Sequence, residues 1–197
     1  MTSGAAASGK ADQVGGRRSG APAPKTLLLG MGNPILSDDA VGIRMAQALS
    51  PRLQPLEGLS VREECCTGGL ELLEVVEGFD RLIVLDSIKT DGGRAGDWYR
   101  FDGVALRETM HLNNVHDANF ATAMELGRQM GMSLPADPDI HILAVEISDN
   151  LTFSERLSPE LEAALPGLVD EMHEEVLGLL GRRRRRAPAG AGRTAGG

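Results

Sequence analysis

The sequence predicts an α/β chain, a three-layer α/β/α sandwich around a mostly parallel central sheet of about five strands. Three observations lead there. Short apolar runs alternate with amphipathic segments from residue 26 to residue 180. The first run, Thr26 to Leu29, breaks into a glycine turn and delivers two adjacent carboxylates, Asp38 and Asp39, to a helix start. The same alternation then repeats along the chain, which calls for parallel strands with helices on both faces.

Each element has its own justification. Thr26 to Leu29 is continuously apolar, suited to a strand covered on both faces, and Gly30 and Gly32 punctuate its end. After Pro34, Ser37 and Asp38 offer side-chain oxygens to free helix amides. Val41, Met45, Ala48 and Leu49 recur at helical spacing, so a helix is expected over 38–50. A strand at 59–64, a helix at 69–77 and a strand at 81–86 follow. The strand at 97–101 stands at hairpin-like spacing behind Asp91-Gly92-Gly93 and is expected to be antiparallel. In the helix at 116–131, Phe120, Ala123, Met124 and Gly127 share a core face. A strand at 140–146 precedes the last helix, 158–180, whose Leu161, Leu165, Leu168, Met172, Val176 and Leu179 form a packing stripe. His141 and His173 read as surface residues of a strand and a helix.

A chain of 197 residues with 42% hydrophobic composition can bury one sizeable core. The expected organisation is one domain over 25–181, between a disordered extension at 1–24 and a basic disordered tail at 182–197, both too poor in apolar residues to offset the entropy of ordering. The ends hold nine of the 20 basic residues and one of the 28 acids, which leaves 11 basic and 27 acidic residues in the domain. So acidic a domain argues against nucleic acid as a partner. The arginine run 182–186 is a solvated terminus or a contact for an acidic partner. Arg17-Arg18 is not expected to begin an export signal, because the apolar run behind it is too short, and no stretch approaches a membrane span. A cytoplasmic protein is expected. Cys65 and Cys66 are sequence neighbours and imply reduced thiols rather than a disulfide framework.

The glycine loop excludes two phosphate-binding readings. A dinucleotide fingerprint starting at Gly30 would need a third glycine where Ile35 stands, and the Gly-Lys-Ser/Thr ending of a phosphate loop is absent. Ligand sites in parallel sheets form beyond the C-terminal ends of the strands, and Asp39, Glu64 and Asp86 each fall there. Asp39 lies at a helix N-terminus, where the dipole favours a negative charge. His116 opens a helix behind Asn113-Asn114. Each of these residues also has a plain structural reading: Asp38 and Asp39 as caps, Glu64 as a solvated strand end with Glu63 as its fallback, and His116 as a capping histidine with His111 next in line.

Gly30-x-Gly32-Asn33-x-x-x-x-Asp38-Asp39-x-x-Gly42 after a Leu-rich strand resembles the opening motif of the hydrogenase maturation endopeptidases, which remove a C-terminal extension from the large subunit of [NiFe] hydrogenases. The resemblance continues through Thr67-Gly68-Gly69-Leu70-Glu71-Leu72-Leu73, the strand Leu82 to Asp86, the His116 segment and the stretch from Val145 to Leu157. It implies Asp39, Glu64 and His116 as metal ligands and as the catalytic set of an aspartic-type endopeptidase, with Asp86 and Asp38 supporting them. The implied metal is nickel carried by the substrate, other divalent ions being able to occupy the site in isolation. The implied partner is the [NiFe] hydrogenase large-subunit precursor, met by a monomer. The sequence departs from the family where an aspartate and two glycines become Glu64, Cys65 and Cys66.

Three rivals stand beside that reading: a nonenzymatic nickel-sensing chaperone or docking module, a small-molecule hydrolase or cofactor-binding enzyme on the same architecture, and a cysteine nucleophile at Cys65 or Cys66 activated by His116.

Overall fold

The computed structural model describes residues 24–66, 69–108 and 115–181, with 106–108 and 115–119 described by backbone alone. The elements in order are β1 (Thr26–Met31), α1 (Val41–Leu53), β2 (Leu59–Cys65), α2 (Leu70–Val76), β3 (Arg81–Ile88), β4 (Trp98–Asp102), α3 (Gly103–Glu108), α4 (Val115–Gln129), β5 (Ile140–Glu146) and α5 (Pro159–Leu179). One five-stranded sheet runs β2-β1-β3-β5-β4. β1 is parallel to β2 and β3, and β3 is parallel to β5.

Period-two alternation sorts the strand residues onto two faces. Leu27, Leu29, Leu82, Val84, Ile140 and Ile142 pack with α2 and α4 through Leu72, Val76, Phe120 and Met124. Leu28, Ile83, Leu85, Leu143 and Val145 pack with α1 and α5 through Met45, Leu49, Leu161, Met172 and Val176. The three layers and the α5 stripe follow the sequence pattern.

Several local expectations are corrected. β4 is antiparallel, but to β5 and not to its chain predecessor, because β5 lies between β3 and β4. The short helix α3 had no periodic signal in the sequence. β3 runs on to Ile88, so Asp86 is not its last residue. Asp38 and Ser37 do not cap the first helix. A single 3₁₀ turn, Ser37–Ala40, enters α1, and neither start has a side-chain cap. His141 is buried at 8% exposure rather than on the surface, and the side chain of His173 is 17% exposed. The expected disordered ends fall outside the described residues, apart from Pro24 at the edge of the first.

Two glycines seat α1 on the sheet. A Cβ at Gly42 would strike the carbonyl oxygens of Met31, the last residue of β1, and of Leu85, within β3. A Cβ at Gly30 would lie 2.6 Å from Ala46 Cβ and 2.5 Å from the Glu63 carbonyl oxygen. Close helix-to-strand approach, the task of the missing third glycine in a dinucleotide loop, is thus served by Gly42.

Candidate functional site

The chain steps from β1 outward to β2 and then back across to β3, so the switch point of the sheet lies between the C-terminal ends of β1 and β3. Asp39 is placed there. Gly32, at φ +135°, turns the chain where a side chain would meet the Asp39 carbonyl oxygen, and the 3₁₀ turn follows. Both carboxylate oxygens of Asp39 are held. The Asn33 N–H donates to Oδ2 at 3.0 Å, and the Ser87 hydroxyl donates to Oδ1 at 2.7 Å. Asn33 also accepts from the Ile35 N–H through its own Oδ1, which tightens the loop. Asp39 remains half-buried, so the carboxylate is fixed yet reachable.

Its neighbour Asp38 is arranged for another task. Asp38 is fully buried; its Oδ1 accepts from the Ser158 N–H at 2.7 Å, and its Oδ2 accepts from the Asp149 N–H and the Ser148 hydroxyl at 3.3 Å each. The backbone joins in, with the Asp38 N–H donating to the Asp149 carbonyl and the Ser37 N–H to the Ser154 carbonyl. Ser158 is the N-cap of α5 and receives the Leu161 N–H. Asp38 therefore pins the β5–α5 loop to the turn that carries Asp39. That loop exposes Leu151 and Phe153. Within it, Asp149 accepts from the Thr152 side chain and from the backbone N–H groups of Leu151 and Thr152, which hold its carboxyl below the usual range.

Glu64 is exposed near the end of β2, one residue before Cys65, the strand partner of Met31. The register between β1 and β2 slips just here. Leu29 faces Arg62 and Met31 faces Cys65, so β2 spends an extra residue across Glu63 and Glu64. Such a slip re-aims side chains, and it turns Cys65 into the α2 side of the core, 5% exposed. Cys66 is exposed and donates its thiol to Glu64 Oε1 at 3.4 Å. Desolvation pushes the Cys66 thiol up, and the adjacent Glu64 carboxylate adds to the shift. A buried Cys65 and a thiol held protonated beside a carboxylate are poor nucleophiles.

Asp86 lies on the sheet face shared with Val84 and Ile88, while Ser87 lies on the α1 face with Ile83 and Leu85. Its Oδ1 accepts from the Ser87 N–H at 2.8 Å. The side chain reaching Asp39 from β3 is thus Ser87, which the sequence reading passed over. The signal was available in the alternation Ile83, Leu85, Ser87, once β3 is taken past residue 86. Position 116 is in the first turn of α4, one turn before Phe120. The His116 side chain, like His111, lies outside the described residues. Among the described residues no three His, Cys, Asp or Glu side chains are grouped to hold a metal ion.

Residues 43–175 match the hydrogenase maturation protease family, HycI. The hydrogenase expression/formation protein HupD of Rhizobium leguminosarum bv. viciae is 36% identical over 67 residues, 34% of this chain and 33% of its own. The hydrogenase 2 maturation protease of Escherichia coli (strain K12) is 36% identical over 64 residues, 32% of this chain and 38% of its own. The chain thus spans a third to two fifths of the length of the curated relatives it matches. Among solved structures, the hydrogenase maturating endopeptidase HybD from E. coli superposes with a TM-score of 0.62 at 22% identity, over 78% of this chain and 92% of that one. The [NiFe] hydrogenase maturation protease HybD from Thermococcus kodakarensis does so with a TM-score of 0.59 at 22% identity, over 77% and 98%. At that identity the structures share the fold.

Proposed function

Because the chain belongs to the hydrogenase maturation protease family, we propose that it is an endopeptidase that cleaves the C-terminal extension from a [NiFe] hydrogenase large-subunit precursor after nickel insertion. The observation that carries this reading is the Asp39 carboxylate, tethered through both oxygens at the switch point of the sheet and still partly exposed. A fixed, reachable carboxylate can take either role that peptide hydrolysis needs: a ligand to the nickel borne by the substrate, or the base that accepts a proton from the attacking water.

In that reaction the water oxygen bonds to the scissile carbonyl carbon, the C–N bond breaks, and a proton passes to the leaving amine. Asp39, Glu64 and His116 would supply two carboxylates and an imidazole, donors suited to a divalent ion such as nickel. Nickel enters as part of the substrate, so recognition and timing coincide: a precursor without the metal offers the site too little to hold. Other divalent ions would take the same residues in isolation. The protein acts as a cytoplasmic monomer with no nucleic-acid partner. No described helix is long and apolar enough to cross a membrane. Burial of Cys65 and the raised thiol of Cys66 speak against a cysteine nucleophile.

Intact mass spectrometry tests the reading. Nickel-loaded and nickel-free precursor are incubated with wild type, Asp39→Ala and His116→Ala. Loss of one defined C-terminal peptide, only with nickel and only with wild type, is the expected result. A nickel-dependent complex with no change in mass would make the chain a docking module instead.

A further inference from the structure

We infer that Ser87 is a positioning residue for Asp39, holding the carboxylate in the one orientation that presents its free lone pairs to a divalent metal ion. The inference rests on the proposed function and goes beyond it, since Ser87 belongs to no part of the motif that suggested the activity.

The argument begins with what fixes a carboxylate. An aspartate side chain turns freely about its last bond, because that torsion joins sp³ and sp² carbons and has no sharp minima. An ionised carboxylate has about four lone-pair positions on two oxygens. In Asp39 one position on each oxygen is filled, by the Asn33 N–H on Oδ2 and by the Ser87 hydroxyl on Oδ1. The two donors come from different parts of the chain, Asn33 from the loop after β1 and Ser87 from near the end of β3, so the plane cannot turn without losing at least one of them. The remaining lone pairs are then pre-aimed.

The Ser87 tether is well made and shielded. At 2.7 Å it has the ordinary length of a hydroxyl-to-oxygen bond, as the 3.0 Å contact from Asn33 has for an amide, and Ser87 itself is 9% exposed, so water competes little for the hydroxyl. Ser87 sits on the α1 face of β3, two residues past Leu85, whose carbonyl oxygen touches the backbone of Gly42 so closely that no Cβ fits. The distance from β3 to the 3₁₀ turn is therefore set by packing. Removal of the hydroxyl cannot be made good by a small shift of the turn.

Residues that orient a metal-binding side chain change affinity or activity by about 10- to 100-fold when they are lost. The test uses the full chain as wild type, Ser87→Ala, Ser87→Thr and Asp39→Ala. Each is assayed for kcat and KM on nickel-loaded precursor by intact mass, for nickel(II) binding by calorimetry with nickel sulfate, and for its thermal midpoint. Ser87→Ala is expected to lose about 10- to 100-fold in kcat/KM and in nickel affinity with an unmoved midpoint, and Ser87→Thr, which keeps the hydroxyl, to recover most of that loss. A Ser87→Ala protein at wild-type level beside an inactive Asp39→Ala would overturn the positioning role and leave the proposed function standing. Equal impairment of the Ala and Thr variants would also overturn it, because packing rather than the hydroxyl would then be at fault. Unimpaired cleavage and nickel binding by Asp39→Ala would overturn both.

Discussion

Adjacent aspartates at the end of one loop invite a paired role, and the structure separates them instead: replacing Asp38 should unfold the protein more readily, and replacing Asp39 should silence it. Asp38 is fully buried and accepts three hydrogen bonds, two of them from backbone N–H groups. Alanine at 38 leaves the part-buried Ser158 and Asp149 donors without the carboxylate that takes them, each at a cost of about 1–3 kcal/mol, offset in part by relief from burying a charge. A net loss of about 3 kcal/mol follows, or about 6–12 °C in thermal midpoint for a domain of this size. Asp39→Ala loses two contacts at a partly exposed position, about 1 kcal/mol in all. Urea unfolding of both variants, beside the precursor-cleavage assay, separates the two. An Asp38→Ala protein within about 1 kcal/mol of wild type, or an Asp39→Ala protein that is the less stable of the pair, would refute the division.

Three further outcomes are expected. His141 is buried on the α5 face of β5, where desolvation, with Arg100 and Arg81 nearby, lowers its pKa against the smaller opposing pull of Asp139 and Asp102. Its folded value lies below the unfolded value of about 6.5, so its share of stability is full above that pH and is lost as pH falls toward the folded value. Urea midpoints of wild type should fall more steeply between pH 7.5 and 5 than those of His141→Gln, and parallel curves would exclude this origin. Gly42→Ala should force α1 off β1 and β3 and lower stability by about 1–3 kcal/mol or more, read by calorimetry, with an unchanged melting curve as the contrary result. Cys66→Ser should leave cleavage intact whereas Cys65→Ser should cost stability by placing a hydroxyl in the α2-side core; loss of turnover with Cys66→Ser alone would revive a thiol mechanism.

The layers and most of the core were legible because they rest on periodicity. Strand residues alternate between two helix-covered faces, and the α5 stripe from Leu161 to Val176 recurs at three and four residues. What escaped depends on strand order and on partners distant in sequence. Nothing local says that β5 slips between β3 and β4, so glycine spacing after β3 suggested a hairpin. Asp38 carries every local mark of a helix cap, yet its acceptor capacity goes to residues 148, 149 and 158, more than a hundred positions away. Asp39 was recognisable from its loop, but its hydroxyl partner was not, since a strand ending at Asp86 hides the residue that follows.

Asp38, expected as a cap, and Ser87, passed over, belong to one physical arrangement. The turn from Ser37 to Ala40 has no cap of its own, and its side-chain oxygens look elsewhere: Ser37 to the Arg156 carbonyl, Asp38 to the 148–158 loop, Asp39 to β3. An uncapped helix start leaves backbone N–H groups without intrahelical partners. Here the Ser37 and Asp38 N–H groups donate to the Ser154 and Asp149 carbonyls, and Gly42 packs the helix against strand carbonyls. The turn is therefore held from three directions by tertiary contacts rather than by its own sequence. That construction frees Asp39 from the capping duty its position suggests, and leaves its carboxylate to be fixed by Ser87 and Asn33.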